Sequence, residues 1–270
     1  MALDLWAEVE VSAAEAPVPP QDPAERMAVE SARRLYSHVG REPPAGLYAR
    51  YRKSIPVARG LGASAVARAS GLLAANAFLG EPLDREELLG LGTELEGHAD
   101  NMAPVLFGGL QVAVRDGESV SHVGLTVPAG LKAVLFVPDQ EMPTQESRQV
   151  LPQQLSRQDA IYNIGRAALL VAALASGRLD LLDVATQDRL HQPARAKIFP
   201  AMQAIFQAAR QAGALGAFLS GGGSTILALT CQGEEKIGRA MAEAAAREGV
   251  GGETMITAPS DAAAQIVGKG

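Results

Sequence analysis

The sequence predicts an α+β protein of two domains. Three observations carry this. Runs of period-two alternation stand between longer runs of helical spacing, without the strict strand–helix repeat of a parallel α/β sheet. The 270 residues exceed the usual size of one domain. The pattern also restarts near Ala129, which sets a first domain at 1–128 and a second at 129–270.

The elements follow in order. Leu3, Leu5, Ala7, Val9 and Val11 alternate with Asp4, Trp6, Glu8 and Glu10, so a strand is expected from the first residues. The Pro- and Ala-rich stretch 13–23 reads as a loop. Residues 24–39 read as a helix with Ala28, Ala32, Leu35 and Val39 on one face, and 46–55 as a second strand. A glycine-rich turn then opens a helix over 64–79. Asp84 and Glu87 form a capping box for a helix ending near Gly97, with Leu88, Leu91 and Leu95 as its buried stripe. A polar turn over 98–104 leads to a strand at 106–114.

In the second domain an apolar strand is expected over 132–138. Ser156 caps a helix running to Leu174, with Ile161, Ile164, Ala168 and Ala172 at helical spacing. A helix over 200–212 stops at Gly213. Strand, glycine turn, strand and helix complete the pattern at 217–220, 221–223, 225–230 and 234–248.

Charge and composition exclude several classes. A net charge of −6 argues against a nucleic-acid partner, which needs a basic face. No apolar run approaches the roughly 20 residues of a membrane span, and the acidic start lacks the basic region of a signal peptide. A cytoplasmic location is therefore expected. Cys231, the single cysteine, permits no internal disulfide and reads as a packed residue at a strand end.

The segment Ile55-Pro56-Val57-Ala58-Arg59-Gly60-Leu61-Gly62-Ala63-Ser64-Ala65 carries the chemistry. It follows a strand and opens a helix, whose unpaired N–H groups and partial positive charge suit phosphate oxygens. Ser64 at the helix start can donate to phosphate or ligate Mg²⁺. The spacing fits neither a Walker A loop nor a Rossmann fingerprint, so a plain glycine turn stands as the other reading.

Pro-x-x-x-Gly-Leu-Gly-x-Ser-Ala over Pro56–Ala65 resembles the second signature of the GHMP kinase superfamily. The run Glu94-Leu95-Glu96-Gly97-His98-Ala99-Asp100-Asn101-Met102-Ala103-Pro104 is similar to that of its homoserine kinases, as are Thr144–Pro152 and His191–Arg195. Ser220–Thr225 stands where the third signature stands. The resemblance implies a two-domain GHMP kinase fold, an N-terminal mixed sheet with helices followed by a C-terminal ferredoxin-like α/β sandwich. It implies ATP and Mg²⁺ as cofactors, homoserine as the small-molecule substrate, and in-line transfer of the γ-phosphoryl group to its hydroxyl, a step of threonine biosynthesis.

The resemblance also assigns residues. Pro56, Arg59, Gly60, Leu61, Gly62, Ala63, Ser64 and Ala65 would hold the ATP phosphates, and Ser64 with Glu94 would hold Mg²⁺ and form the catalytic pair. Glu96, two residues on, is expected at the surface. Asp100 would bind the ammonium and Asn101 polar atoms near the hydroxyl, while a local Asx turn is the alternative for both. Arg195 would grip the carboxylate as a fork, beside a backbone wall at Gly221 and Gly222. His98 is expected to be structural, and Arg59 fits a surface role equally well.

Some features depart from the family. Ala63 replaces a serine, Gly222 and Ser224 alter the third signature, and an arginine near the C-terminus has no counterpart. The family's first strand, with its Asn and Asp, is not found before Leu3, so the chain is expected to be N-terminally shortened. These departures keep two alternatives open: another GHMP small-molecule kinase, or a non-catalytic GHMP-like nucleotide-binding protein. The reading leaves room for a homodimer.

Overall fold

The computed structural model describes residues 1–53 and 55–268; Ser54, inside the expected strand 46–55, lies outside them. The chain forms two compact units. The first comprises 1–55, 62–125 and 260–270, and the second 56–61 and 126–259. The units are therefore not two consecutive halves: the glycine loop belongs in part to the second, and the last residues return to the first.

In the first unit, β1 (Glu8–Ala14) pairs antiparallel with β2 (Gly46–Lys53). The alternation seen from Leu3 becomes regular strand only at Glu8, Leu3 itself forming an isolated bridge. Between the strands lies α1 (Pro23–His38), started by the Asp22 carboxylate, which accepts from the backbone N–H of Ala24 at 2.7 Å and Glu25 at 2.9 Å. Its face of Ala28, Ala32 and Leu35 is fully buried against α2 (Ala63–Phe78). The two helices touch backbone to backbone, since a Cβ on Gly71 would stand 1.9 Å from the Ala28 carbonyl oxygen.

Helix α3 (Arg85–Glu96) has the expected capping box of Asp84 and Glu87 and stops at Gly97 in the left-handed conformation. The polar turn is shorter than expected. A one-and-a-half-turn helix α4 (Met102–Phe107) occupies the start of the expected strand, because Met102, Ala103 and Leu106 fall on one helical face and are fully buried. Strand β3 (Leu110–Asp116) follows and turns into β4 (Ser119–Leu125). Among the described residues the strands of this unit lie in two antiparallel pairs, β1–β2 and β3–β4. The core joins Leu35, Leu47, Leu72, Leu88, Leu89, Met102 and Leu106, each of which contributes about 1.5–3 kcal/mol by leaving water.

The second unit is built on β5 (Lys132–Pro138), buried from Ala133 onward. After it come α5 (Thr144–Gln149), α6 (Arg157–Ser176), a short 3₁₀ turn, α7 (Leu182–Ala185), α8 (Gln192–Arg195) and α9 (Met202–Ala212). Then follow β6 (Gly216–Leu219), β7 (Ile226–Thr230), α10 (Glu234–Arg247) and β8 (Gly252–Thr257). The sheet order is β6–β7–β5–β8, antiparallel throughout, with α9 and α10 supplying Ile205, Phe206, Ile237 and Met241 to its core. Taken with the chain order β5, α9, β6, β7, α10, β8, this is the split pairing of a ferredoxin-like sandwich.

The structure settles which face of α6 is covered, and one expectation, the packing of Cys231, needs correction. On α6 the buried residues are Ala173 and Leu174, while Ile161 and Ile164 are 60% and 69% exposed. Helical spacing marks a face but not which face is covered. Cys231 is exposed rather than packed, because β7 ends at Thr230, whose hydroxyl donates to the Gln232 carbonyl and turns the chain outward. Among the described residues no helix is long and apolar enough to cross a membrane.

Candidate active site

Helix α2 begins without a side-chain cap. Its N-cap is Gly62, in the left-handed conformation at φ 75°, and its first turn holds no acidic residue. The free N–H groups and the helix dipole therefore face the glycine turn, with Ser64 inside the first turn. A Cβ on Gly62 would lie 3.5 Å from the Asn101 side-chain oxygen, so the end of this turn and Asn101 adjoin each other.

The Ser64 hydroxyl donates to the carboxylate of Glu96, not to Glu94. Glu96 is 7% exposed and its second oxygen accepts from Arg68 Nε at 2.8 Å. Glu94 is 55% exposed and pairs with Arg34 at 3.1 Å. Two residues on a helix differ in direction by about 200°, so only one of the two glutamates can face α2. Of the two glutamates it is Glu96 that faces Ser64, and Glu96 is not at the surface as expected. Arg68 carried the missing signal: one turn after Ser64 it shares that serine's face of α2 and calls for a carboxylate opposite.

Asp100 and Asn101 follow in the turn between α3 and α4. Asp100 is exposed, and its carboxylate bonds His98 Nδ1 and accepts from the Asn101 backbone N–H at 2.9 Å. The His98 bond holds the Asp100 carboxyl below the usual carboxylate range, against an opposing desolvation. His98 thus braces the Asp100 carboxylate, which still faces outward.

In the second unit the loop 56–61 lies against the third-signature turn. The Ser220 hydroxyl donates to the Gly60 carbonyl at 2.8 Å, and the Thr225 N–H to the Arg59 carbonyl at 3.0 Å. Gly60 has φ 75°, and a Cβ there would stand 2.0 Å from the Ser220 oxygen, so no other residue fits. Arg59 is spent on protein acceptors: its Nε donates to the Pro138 carbonyl at 2.8 Å, a second nitrogen to that of Asp139 at 2.9 Å, and it pairs with Glu141 at 3.3 Å. It pins the loop to the end of β5. Pro56 and Leu61 are partly buried at the two ends of the segment.

Arg195, at the end of α8, is buried and donates through Nε to the Ser147 carbonyl at 3.3 Å and through Nη1 to the Gly221 carbonyl at 3.1 Å. Ser147 Oγ donates to the Gly222 carbonyl at 2.7 Å. Arg195, Gly221 and Gly222 are therefore one cluster. Burial lowers the Arg195 guanidinium from its usual range, with Asp188 opposing and the nearby Arg148 adding to the shift. Arg148, in the motif Thr144–Pro152, is exposed on α5, and nothing in the sequence alone signalled that its charge would act on Arg195.

The models of two domains match the chain: the GHMP kinases N terminal domain over residues 26–109 and the GHMP kinases C terminal over 170–248. The chain belongs to the GHMP kinases. Among GHMP kinases it is 46% identical to the homoserine kinase of Moorella thermoacetica, over 90% of this chain and 82% of that protein. It is 39% identical to that of Carboxydothermus hydrogenoformans, over 84% and 74%. The crystal structure of homoserine kinase from Cytophaga hutchinsonii superposes with a TM-score of 0.84 at 31% identity, over 96% of this chain and 88% of the other.

The fit of a GHMP kinase's metal can be tested on the donors present. No group of three or more His, Cys, Asp and Glu side chains among the described residues could hold a metal ion by itself. Mg²⁺ takes one or two protein oxygens and the rest from phosphate and water. The Ser64 hydroxyl with the Glu96 carboxylate is such a pair, placed at an uncapped helix N-terminus.

Proposed function

We propose that this chain phosphorylates the hydroxyl of L-homoserine with Mg·ATP, giving O-phospho-L-homoserine for threonine biosynthesis. The single observation that carries the reading is the Ser64–Glu96 pair at the uncapped start of α2, in a chain so similar to proteins named homoserine kinase.

Each group has a task. The N–H groups of Gly62, Ala63, Ser64 and Ala65 bind phosphate oxygens, with loop 56–61 shaped by Arg59 and Gly60. Glu96 and Ser64 hold Mg²⁺, and Arg68 fixes the orientation of that carboxylate. When bound, the metal neutralises charge on the transferring phosphoryl group, which is most of what such a reaction needs beyond positioning. Asp100 matches the substrate ammonium, and Asn101 a polar atom near the hydroxyl. Arg195, with Arg148 nearby, matches the carboxylate, against the backbone of Gly221 and Gly222. The cytoplasm is the expected location, and a homodimer is compatible with the apolar residues left exposed on α6.

The test is ADP release by the purified chain with ATP, Mg²⁺ and homoserine, beside serine and mevalonate. Homoserine-dependent turnover is the expected result. Turnover with mevalonate instead would make the chain another GHMP kinase. Magnesium-dependent ATP binding with no turnover on any of the three would make it a non-catalytic nucleotide-binding relative.

A further inference from the structure

Helix α8 is only four residues long, Gln192–Arg195, and a single turn does not hold itself. Yet its last residue is the buried Arg195. Something outside the helix must fix it.

We infer that Asp188 is a positioning residue for Arg195, holding the turn that presents the guanidinium to a substrate carboxylate. This rests on the reading of Arg195 as the ligand of that carboxylate. The Asp188 carboxylate collects four donors. Oδ1 accepts from the Leu190 N–H at 2.9 Å and the Asn163 side-chain amide at 2.6 Å; Oδ2 accepts from the His191 N–H at 2.8 Å and from the Gln192 N–H. The Gln192 N–H is the first of α8, and those of Leu190 and His191 lead into it, so one carboxylate fixes both the approach to the helix and its first orphan N–H.

Asn163 anchors the cap to α6. Its own oxygen accepts from the Arg189 N–H at 2.9 Å, and one residue earlier Tyr162 donates its hydroxyl to Gln187 at 2.7 Å. The Arg189 guanidinium lies 3.9 Å from the centre of the Tyr162 ring. On the other side, the Gln192 side chain accepts from the Leu219 N–H at 2.9 Å, which ties α8 to the strand leading into Gly221. The Arg195 fork is thus held at its root by Asp188 and at its tip by the Ser147 and Gly221 carbonyls. Burial raises the Asp188 carboxyl, but the bonds from Asn163 and the three N–H groups outweigh it and leave the group below its usual range, charged and opposite Arg195.

A fork that recognises a carboxylate loses its match on a shift of about half an ångström. The test therefore compares homoserine with 3-amino-1-propanol, the same amino alcohol without the carboxylate, on the full chain. Arg195→Ala first decides the underlying reading: if it leaves the preference for homoserine over 3-amino-1-propanol intact, Arg195 is not the carboxylate ligand. Given that the preference collapses, Asp188→Asn should raise the homoserine KM about tenfold, the loss of a charge-assisted bond, with the ATP KM within about twofold. Its penalty on 3-amino-1-propanol should stay below about twofold, as a loss confined to carboxylate recognition requires. An equal penalty on both substrates, or none on either, overturns the inference. Asn163→Ala, which leaves the three backbone bonds in place, should shift the homoserine KM in the same direction by less. It applies the same criterion should Asp188→Asn not fold.

Discussion

The Ser64 hydroxyl donates to Glu96, and the same carboxylate is held from its other side by Arg68, one helical turn further along α2. A carboxylate fixed by an arginine and aimed at a hydroxyl is preset for a hard cation. Replacing Glu96 by Gln should raise the half-saturating Mg²⁺ concentration about tenfold or more. Replacing Glu94 by Gln removes only an exposed pair with Arg34, worth about 0–1 kcal/mol, and should leave the magnesium curve in place. Magnesium titration of nucleotide binding and of turnover checks both. The opposite ranking would return the metal to Glu94.

What the sequence could and could not tell follows from this pair. The motif Glu94 to Pro104 marks the segment, but the choice between Glu94 and Glu96 depends on how far α3 has rotated when it meets α2. That rotation is set by Leu88, Leu89 and Leu91 in the core and not by any local rule. Capping boxes, the buried face of α1 and the strand 132–138 are local or periodic and were legible. The short α4 was not, because its apolar run Met102–Phe107 reads equally well as a strand. Nor was the return of the last residues to the first unit, a purely tertiary fact.

Gly60 and Ser220 make a second prediction. Gly60→Ala must place a methyl where the Ser220 carbonyl oxygen stands, from a backbone with positive φ. The strain alone costs about 1–3 kcal/mol. At about 2–4 °C of Tm per kcal/mol for a chain of this size, the melting point should fall by at least several degrees. Ser220→Ala, which gives up only the 2.8 Å bond to the Gly60 carbonyl, should cost about 1 kcal/mol. Thermal melts of the two variants should therefore rank Gly60→Ala well below Ser220→Ala.

The outward face of α6 can be tested by charge. Ile161 and Ile164 are largely exposed, so Ile161→Glu and Ile164→Glu should change the stability of the folded chain by no more than about 0.5 kcal/mol. Leu174→Ala, on the buried face, should cost about 2–5 kcal/mol. Denaturant unfolding separates the two faces. A large loss from either glutamate, accompanied by a smaller species in sedimentation, would mean that a second copy covers this face.

Asp188 gives a dependence on pH with a definite sign. Its carboxyl lies below the usual range in the folded chain, because the donors from Asn163, Gln192, Leu190 and His191 outweigh the burial that raises it. A group whose folded value is depressed stabilises the fold fully above its unfolded value, about 3.9 for Asp. The contribution declines as pH falls below that value toward the folded one. The stability gap between the native chain and Asp188→Asn should therefore be constant from neutral pH down to about 4.5 and narrow at more acid pH. Urea unfolding of both chains across that range measures it. A gap that instead widens on acidification would mean that the carboxylate is not the acceptor of these four bonds.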